Sequence, residues 1–181
     1  MEFAVLGWPE DEVQLDLDHR RFAYAGKFVM TNTGKAVARE DGAVVAAISF
    51  NADRTEQSLG WFRYVTVAEE RQGEEIGPRL ANWTASHLLS ERFDRIRIAV
   101  NNPVAYHALY KAGFGFTGKE TGIAEVVLER PADRDSALYV SGLERFMDRD
   151  FPPDMESFLR KRLDAGTPPP PISSQDEEAE G

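Results

Sequence analysis

The chain contains no cysteine, which excludes disulfides, thiolate metal sites and a cysteine nucleophile. No apolar run approaches the roughly 20 residues of a membrane span, and no signal-peptide pattern opens the chain. A cytoplasmic protein without a membrane partner is therefore expected. The three histidines, His19, His87 and His107, are isolated, and no His/Asp/Glu spacing suggests a metal, so no metal cofactor is expected. A basic patch is missing too. With 31 acidic against 21 basic side chains the net charge is −10, which argues against a nucleic-acid partner. The acidic end contributes four of these charges (Asp176, Glu177, Glu178, Glu180), so the rest of the chain is acidic as well. Only five residues are lysine. That balance resembles salt-adapted proteins, whose surroundings screen surface repulsion, although an acidic protein from a GC-rich genome would read the same way.

At 181 residues, 42% of them hydrophobic, the chain suits one soluble domain with room for an appendage. Phe3 to Trp8 reads as a first strand closed by Pro9. Phe22, Ala25 and Val29 lie at helical spacing within residues 17–30, which predicts a short helix. Lys35 to Arg39 and Ala43 to Phe50 read as strands joined across Asp41-Gly42, and Gly60 to Val67 as a fourth strand. Pro78 begins a helix that runs to about Glu91, and Ile96, Ile98 and Val100 alternate as in a half-buried strand. Asn102-Pro103 caps a helix that ends at Gly113, and Phe114 to Gly118 with Ile123 to Arg130 forms a closing strand pair. Beyond Pro131 the apolar residues suggest two short amphipathic helices, packed on the domain or on a second subunit of a homodimer. The proline-rich, acidic stretch 167–181 reads as disordered.

Two stretches carry the chemistry. The first, Val65-Thr66-Val67 through Gln72-Gly73-Glu74-Glu75-Ile76-Gly77-Pro78-Arg79-Leu80, is a strand, a polar loop with two glycines, and a helix start. Such a loop aims unpaired backbone N–H groups at an anion, as a phosphate cradle does. The second runs from Asn102-Pro103-Val104-Ala105 to Lys111-Ala112-Gly113-Phe114.

Together they resemble the acetyl-CoA loop and the last motif of the GNAT superfamily of acyltransferases, over about residues 36–130. The family's loop pattern is Arg or Gln, two residues, Gly, any residue, then Gly or Ala. Gln72 takes its first position and Gly77 its last, and Glu75 stands where glycine is usual. The resemblance implies an α/β (α+β) fold with a mixed, centrally splayed sheet flanked by helices. The GNAT-like domain would span 1–130, a helical extension 131–166 and the tail 167–181. It implies an N-acetyltransferase that moves an acetyl group from acetyl-CoA to a primary amine of a small molecule or protein by direct attack. The backbone of Val65, Thr66 and Val67 would pair with the pantetheine arm. The N–H groups of the loop from Gln72 to Gly77 (Gln72, Gly73, Glu74, Glu75, Ile76, Gly77) would hold the pyrophosphate, with Pro78 next to them in the cofactor site. Asn102 would approach the pantetheine or thioester end. Glu75 removes the freedom to adopt positive φ and adds a carboxylate there, unless Glu74 and Glu75 point to solvent from a first helical turn.

Direct attack needs a neutral amine, an N–H for the oxyanion and an acid for the departing thiolate. The family often uses a tyrosine on the last helix as that acid, and the count places Leu109 there. Tyr110 lies one residue late, about 100° around the helix, and Tyr106 is rotated about 60° from Leu109. Tyr110 is the expected proton donor and Tyr106 the alternative, with core packing a competing reading for both. A catalytically inactive acyl-CoA-binding sensor or structural subunit is the alternative function, and Leu109 and Glu75 are its evidence.

Overall fold

A tight turn at Asp41-Gly42, with both residues at positive φ (53° and 81°), joins the two strands that anchor the first half of the chain. In the computed structural model, which describes residues 1–172, the chain divides into two units, Met1–Ile96 and Arg97–Pro171. The first unit contains β1 (Glu2–Gly7), β2 (Gly34–Glu40), β3 (Ala43–Ala52) and β4 (Leu59–Val67), followed by α1 (Ile76–Glu91). The four strands pair antiparallel in sequence order. Ala36, Val37, Ala38, Ala46, Ala47 and Ile48 are fully buried, so β2 and β3 are covered on both faces. On one side lies α1, which buries Ile76, Leu80, Ala81, Ala85 and Leu88. Val37 and Ala47 pack with Leu17, Phe22, Ala25, Phe28 and Ala68.

Residues 17–30 do not form the helix that their spacing predicts. The Asp18 carboxylate accepts the Arg20 N–H at 2.9 Å, Tyr24 takes φ 62°, and only Ala25–Val29 coil, as a 3₁₀ turn. The residues that go inside are Phe22, Ala25 and Phe28, three apart as a three-residue turn requires, while Val29 stays 42% exposed. This segment is held by Lys35, a fully buried lysine on β2. Its Nζ donates to the carbonyls of Val13 (2.8 Å), Met30 (2.8 Å) and Thr33 (2.7 Å), and lies 2.9 Å from the Thr33 hydroxyl. Burial lowers the lysine's pKa from its usual value, while the surrounding oxygens suit the charged ammonium.

β5 (Arg95–Val100) begins in the first unit, where a Cβ at Gly60 of β4 would press on Ile96, and continues into the second. The second unit adds α2 (Pro103–Lys111), β6 (Gly115–Glu120), β7 (Val126–Arg130), α3 (Ser136–Glu144) and α4 (Pro153–Ala165). Asn102 caps α2 through Oδ1, which accepts the Ala105 N–H at 2.9 Å. At its other end Gly113 takes φ 92°, and the N–H groups of Gly113 and Phe114 return to the carbonyls of Tyr110 and Leu109. That is the Schellman closure. β6 and β7 pair antiparallel, but β7 starts at Val126, later than the sequence suggests. Ile123 is 80% exposed in the turn before it, next to Ala124 at φ 62°.

Both helices expected beyond Pro131 form. Asp135 caps α3 by accepting the Leu138 N–H at 2.8 Å, and α4 packs against α2 and α3. Arg134 donates to the carbonyls of Tyr110 and Phe114 and, at 2.8 Å, to that of Pro169. The first part of the expected disordered stretch is thus tied to the unit. Residues 173–181 of that stretch lie outside the described residues. The seven strands run in the order β1-β2-β3-β4-β5-β7-β6, so the fold is α/β with a seven-stranded sheet flanked by helices.

Candidate functional site

Along its last residues β4 pairs with β3, Val65 with Ile48, Thr66 with Ala47 and Val67 with Ala46. Further back Tyr64 faces Ser49 but Phe62 faces Phe50, so Arg63 is an extra residue, a bulge that bends β4. After Val67 the chain makes a 3₁₀ turn (Glu69–Arg71) and then enters α1 through Gln72–Glu75.

Two residues of that entry sit in the left-handed region, Gly73 at φ 87° and Glu75 at φ 63°. Glycine takes this conformation freely, whereas a side chain there costs about 1–2 kcal/mol. Glu75 therefore adopts the conformation that its missing glycine would have made easy. It stands just before α1 rather than in the first turn, and both it and Glu74 are exposed. Backbone that alternates between helical and left-handed residues turns successive N–H groups toward one concavity, and such concavities bind anions. The N–H groups of Ile76 and Gly77 precede the helix's own bonds, which start with Arg79 N to Glu75 O at 3.2 Å. Pro78 is the third residue of the helix and supplies no donor. A Cβ on Gly77 would lie 3.3 Å from Val67 Cγ2, so strand end and helix start approach closely.

The acidic loop is balanced by arginines. Arg71 bridges Glu74 (2.9 Å) and Glu40 (3.0 Å), which raise its pKa, Glu74 more than Glu40. Glu70 accepts from Arg21, which lowers the pKa of its carboxyl. Three carboxylates near the concavity are thus held by cations rather than left to repel a phosphate.

Beside the bulge lies a cleft of about 590 Å³ that sequence reasoning missed. It is lined from β3 (Ser49, Asn51), β4 (Trp61, Arg63, Tyr64), the loop 53–55 and the segment 27–33. Arg63 Nε donates to Asn51 Oδ1 at 2.7 Å, and its guanidinium lies 4.9 Å from the Trp61 ring centre. Burial lowers the pKa of Arg63. Asp53 accepts from Trp61 Nε1, the Thr55 hydroxyl and the Thr55 and Glu56 N–H groups. These bonds, that of Trp61 first, hold its pKa at about 2. No sequence signal links these side chains, because turns and strand register bring them together.

In the second unit, Asn102 acts as the cap of α2, and its Nδ2 lies 3.1 Å from Asn101 Oδ1. Tyr106 and Tyr110 are both fully buried. The Tyr106 hydroxyl donates to the Tyr139 carbonyl at 2.8 Å, and that of Tyr110 accepts the Phe116 N–H at 2.9 Å. The rings of Tyr139 and Phe146 pack on this pair, and a Cβ at Gly142 would collide with the Tyr106 ring. Burial raises the pKa of both hydroxyls. Leu109 is buried as well. These side chains form a core that encloses both Tyr110, the expected proton donor, and Tyr106, its alternative. Of the histidines, His87 stacks on Trp83 (5.2 Å) and His107 lies edge-on to Phe158 (5.4 Å). Among the described residues no cluster of three or more His, Cys, Asp or Glu side chains could hold a metal, and no helix is long and apolar enough to cross a membrane.

The profile of the Acetyltransferase (GNAT) family matches residues 2–116, well over half of the chain, and the chain belongs to this family. That family is one of acetyltransferases. No curated protein matches it. Among solved structures it is similar to an IAA acetyltransferase from Bacillus cereus, with 18% identity, TM-score 0.50, and 71% of this chain and 97% of that one covered. A phosphinothricin acetyltransferase from Sinorhizobium meliloti in complex with AcCoA gives 18% identity and TM-score 0.49, over 55% of this chain and 60% of that one. An N-acetyltransferase from Staphylococcus aureus Mu50 gives 15% identity and TM-score 0.47, over 54% and 66%. The match spans less than two thirds of these last two proteins' own length.

Proposed function

We propose that this protein is an acetyl-CoA-dependent N-acetyltransferase that works in the cytoplasm and acetylates a primary amine by direct attack. The observation that carries the reading is the left-handed backbone at Gly73 and Glu75 in the entry to α1, a conformation that suits an anion-binding loop even though Glu75 replaces the usual glycine. The N–H groups from Gly73 to Gly77 bind the pyrophosphate, and the backbone of Val65 to Val67 pairs with the pantetheine arm. Arg71 and Arg21 neutralise the neighbouring glutamates, so the phosphates meet little unpaired negative charge.

In the reaction, the amine nitrogen attacks the thioester carbon, a C–N bond forms and the C–S bond breaks. The attacking nitrogen loses a proton to water, and the departing thiolate takes one from water. The solvent takes this part because the Tyr106 and Tyr110 hydroxyls are committed inside their unit. The buried tyrosines also favour a second reading, an acyl-CoA-binding protein without turnover. Calorimetry with acetyl-CoA on wild type and Gly77→Asp tests the site, because a carboxylate at residue 77 would enter the concavity. Micromolar-range binding by wild type and strong loss in the variant are expected, in low and high salt. Absence of binding by folded wild type would refute both readings. Binding without CoA release across a broad amine panel would leave the second.

A further inference from the structure

The cleft beside β4 gathers three cations. In a protein of net charge −10, many arginines elsewhere are paired: Arg20 with Asp18, Arg21 with Glu70, Arg71 with Glu40 and Glu74, Arg92 with Glu10, and Arg145 with Glu120. Lys27, Arg54 and Arg63 line the cleft, and among the described residues none of them makes an ion pair. The single carboxylate there, Asp53, already accepts four hydrogen bonds from Trp61, Thr55 and Glu56. Arg63 uses Nε on Asn51, with its guanidinium 4.9 Å from the Trp61 ring centre, and this leaves the forked end for a ligand. Ser49, fully buried in the same wall, has a hydroxyl with no hydrogen-bond partner among the described residues. A buried hydroxyl without a partner costs about 1–3 kcal/mol, a cost that a bound oxygen relieves. A volume of about 590 Å³ suits a small molecule.

We infer that the cleft binds the anionic end of the acceptor, so that the substrate is a small primary amine that also carries a carboxylate or phosphonate. Arg63 receives the oxyanion through its fork, Lys27 and Arg54 add charge, and Ser49 donates to an oxygen of the ligand. Trp61 and Tyr64 form the apolar wall for the carbon skeleton. The assignment rests on the acetyl-transfer reading, because β4 contributes both this wall and the strand that faces the pantetheine arm. It disfavours polyamines, whose extra cations would meet three like charges.

The test uses matched acceptors with acetyl-CoA saturating. CoA release is followed with L-amino acids, with the corresponding amino-acid amides, with aminomethylphosphonate and with putrescine. The anion-bearing amines should exceed the amides in kcat/KM by about tenfold or more, as expected for a charge-assisted arginine contact. Comparing amino acids with aminomethylphosphonate identifies the anion. Arg63→Gln should bring the ratio of acid to amide close to one through KM, with acetyl-CoA affinity unchanged. Turnover that favours amides or putrescine, or a ratio untouched by Arg63→Gln, would overturn the inference while leaving the transferase intact. If no amine turns over, calorimetry of aminomethylphosphonate decides, since binding that Arg63→Gln abolishes upholds the cleft assignment and no binding by wild type overturns it. Failure of acetyl-CoA to bind would remove the transferase reading by itself.

Discussion

Glu75→Gly should stabilise the protein, against the usual direction of a change to glycine. The residue sits at φ 63°, ψ 17°, where a side chain costs about 1–2 kcal/mol. Glycine removes that strain but gives back roughly 0.5–1 kcal/mol through the greater freedom of the unfolded chain. The net expectation is a gain of up to about 1.5 kcal/mol. For a chain of this length that corresponds to a rise in Tm of up to about 6 °C. Acetyl-CoA affinity should stay the same or tighten, because the backbone already has its binding shape and one negative charge leaves the concavity. Thermal denaturation with and without acetyl-CoA, together with calorimetry, measures both quantities. A lower Tm, or affinity weakened several-fold, would show that the Glu75 carboxylate contributes more than its backbone conformation costs. The account of the loop as a backbone cradle would then be refuted.

Lys35→Met keeps the length of the side chain but leaves the carbonyls of Val13, Met30 and Thr33 without their donor. Stability should fall by about 2–5 kcal/mol in urea denaturation, and a loss under 1 kcal/mol would contradict the role of the buried ammonium. Tyr110→Phe removes the acceptor of the Phe116 N–H, so stability should drop by about 1–3 kcal/mol while turnover changes only a few-fold. A loss of one to two orders of magnitude in kcat at unchanged stability would instead make Tyr110 the general acid. Raising potassium chloride from dilute buffer to molar concentration should raise Tm, because 31 acidic side chains face 21 basic ones. A flat or falling Tm would count against a salt-adapted chain.

The parts of the fold that local chemistry decides could be read in advance. Asp41-Gly42 tolerates positive φ, Asn102-Pro103 is a cap, Gly113 is a helix stop, and alternation marks the strands. Each involves residues close in sequence. The segment 12–33 could not be read this way, because its path is set by hydrogen bonds from Lys35 and by burial of Phe22 and Phe28 against β2 and β3. The tyrosines show the same limit. Helical phase places Tyr106 and Tyr110 on α2, but α3 and its Tyr139 decide that their hydroxyls lie inside. Glu75 departs from the family's residue and still takes the left-handed backbone, so a sequence difference did not become a structural one. The cleft was invisible because Lys27 on the 3₁₀ turn, Arg54 in a loop and Arg63 on β4 meet only through the tertiary fold.

Three carbonyls and a hydroxyl around the Lys35 nitrogen resemble the oxygen cage that proteins build for a bound potassium ion. Here the cation is covalently part of β2, so occupancy of the cage is complete at any ionic composition. No ion has to be recruited from solution to hold Val13, Met30 and Thr33 together. Met30 and Thr33, both bonded to this nitrogen, also line the cleft, so one side chain of β2 ties part of its wall in place.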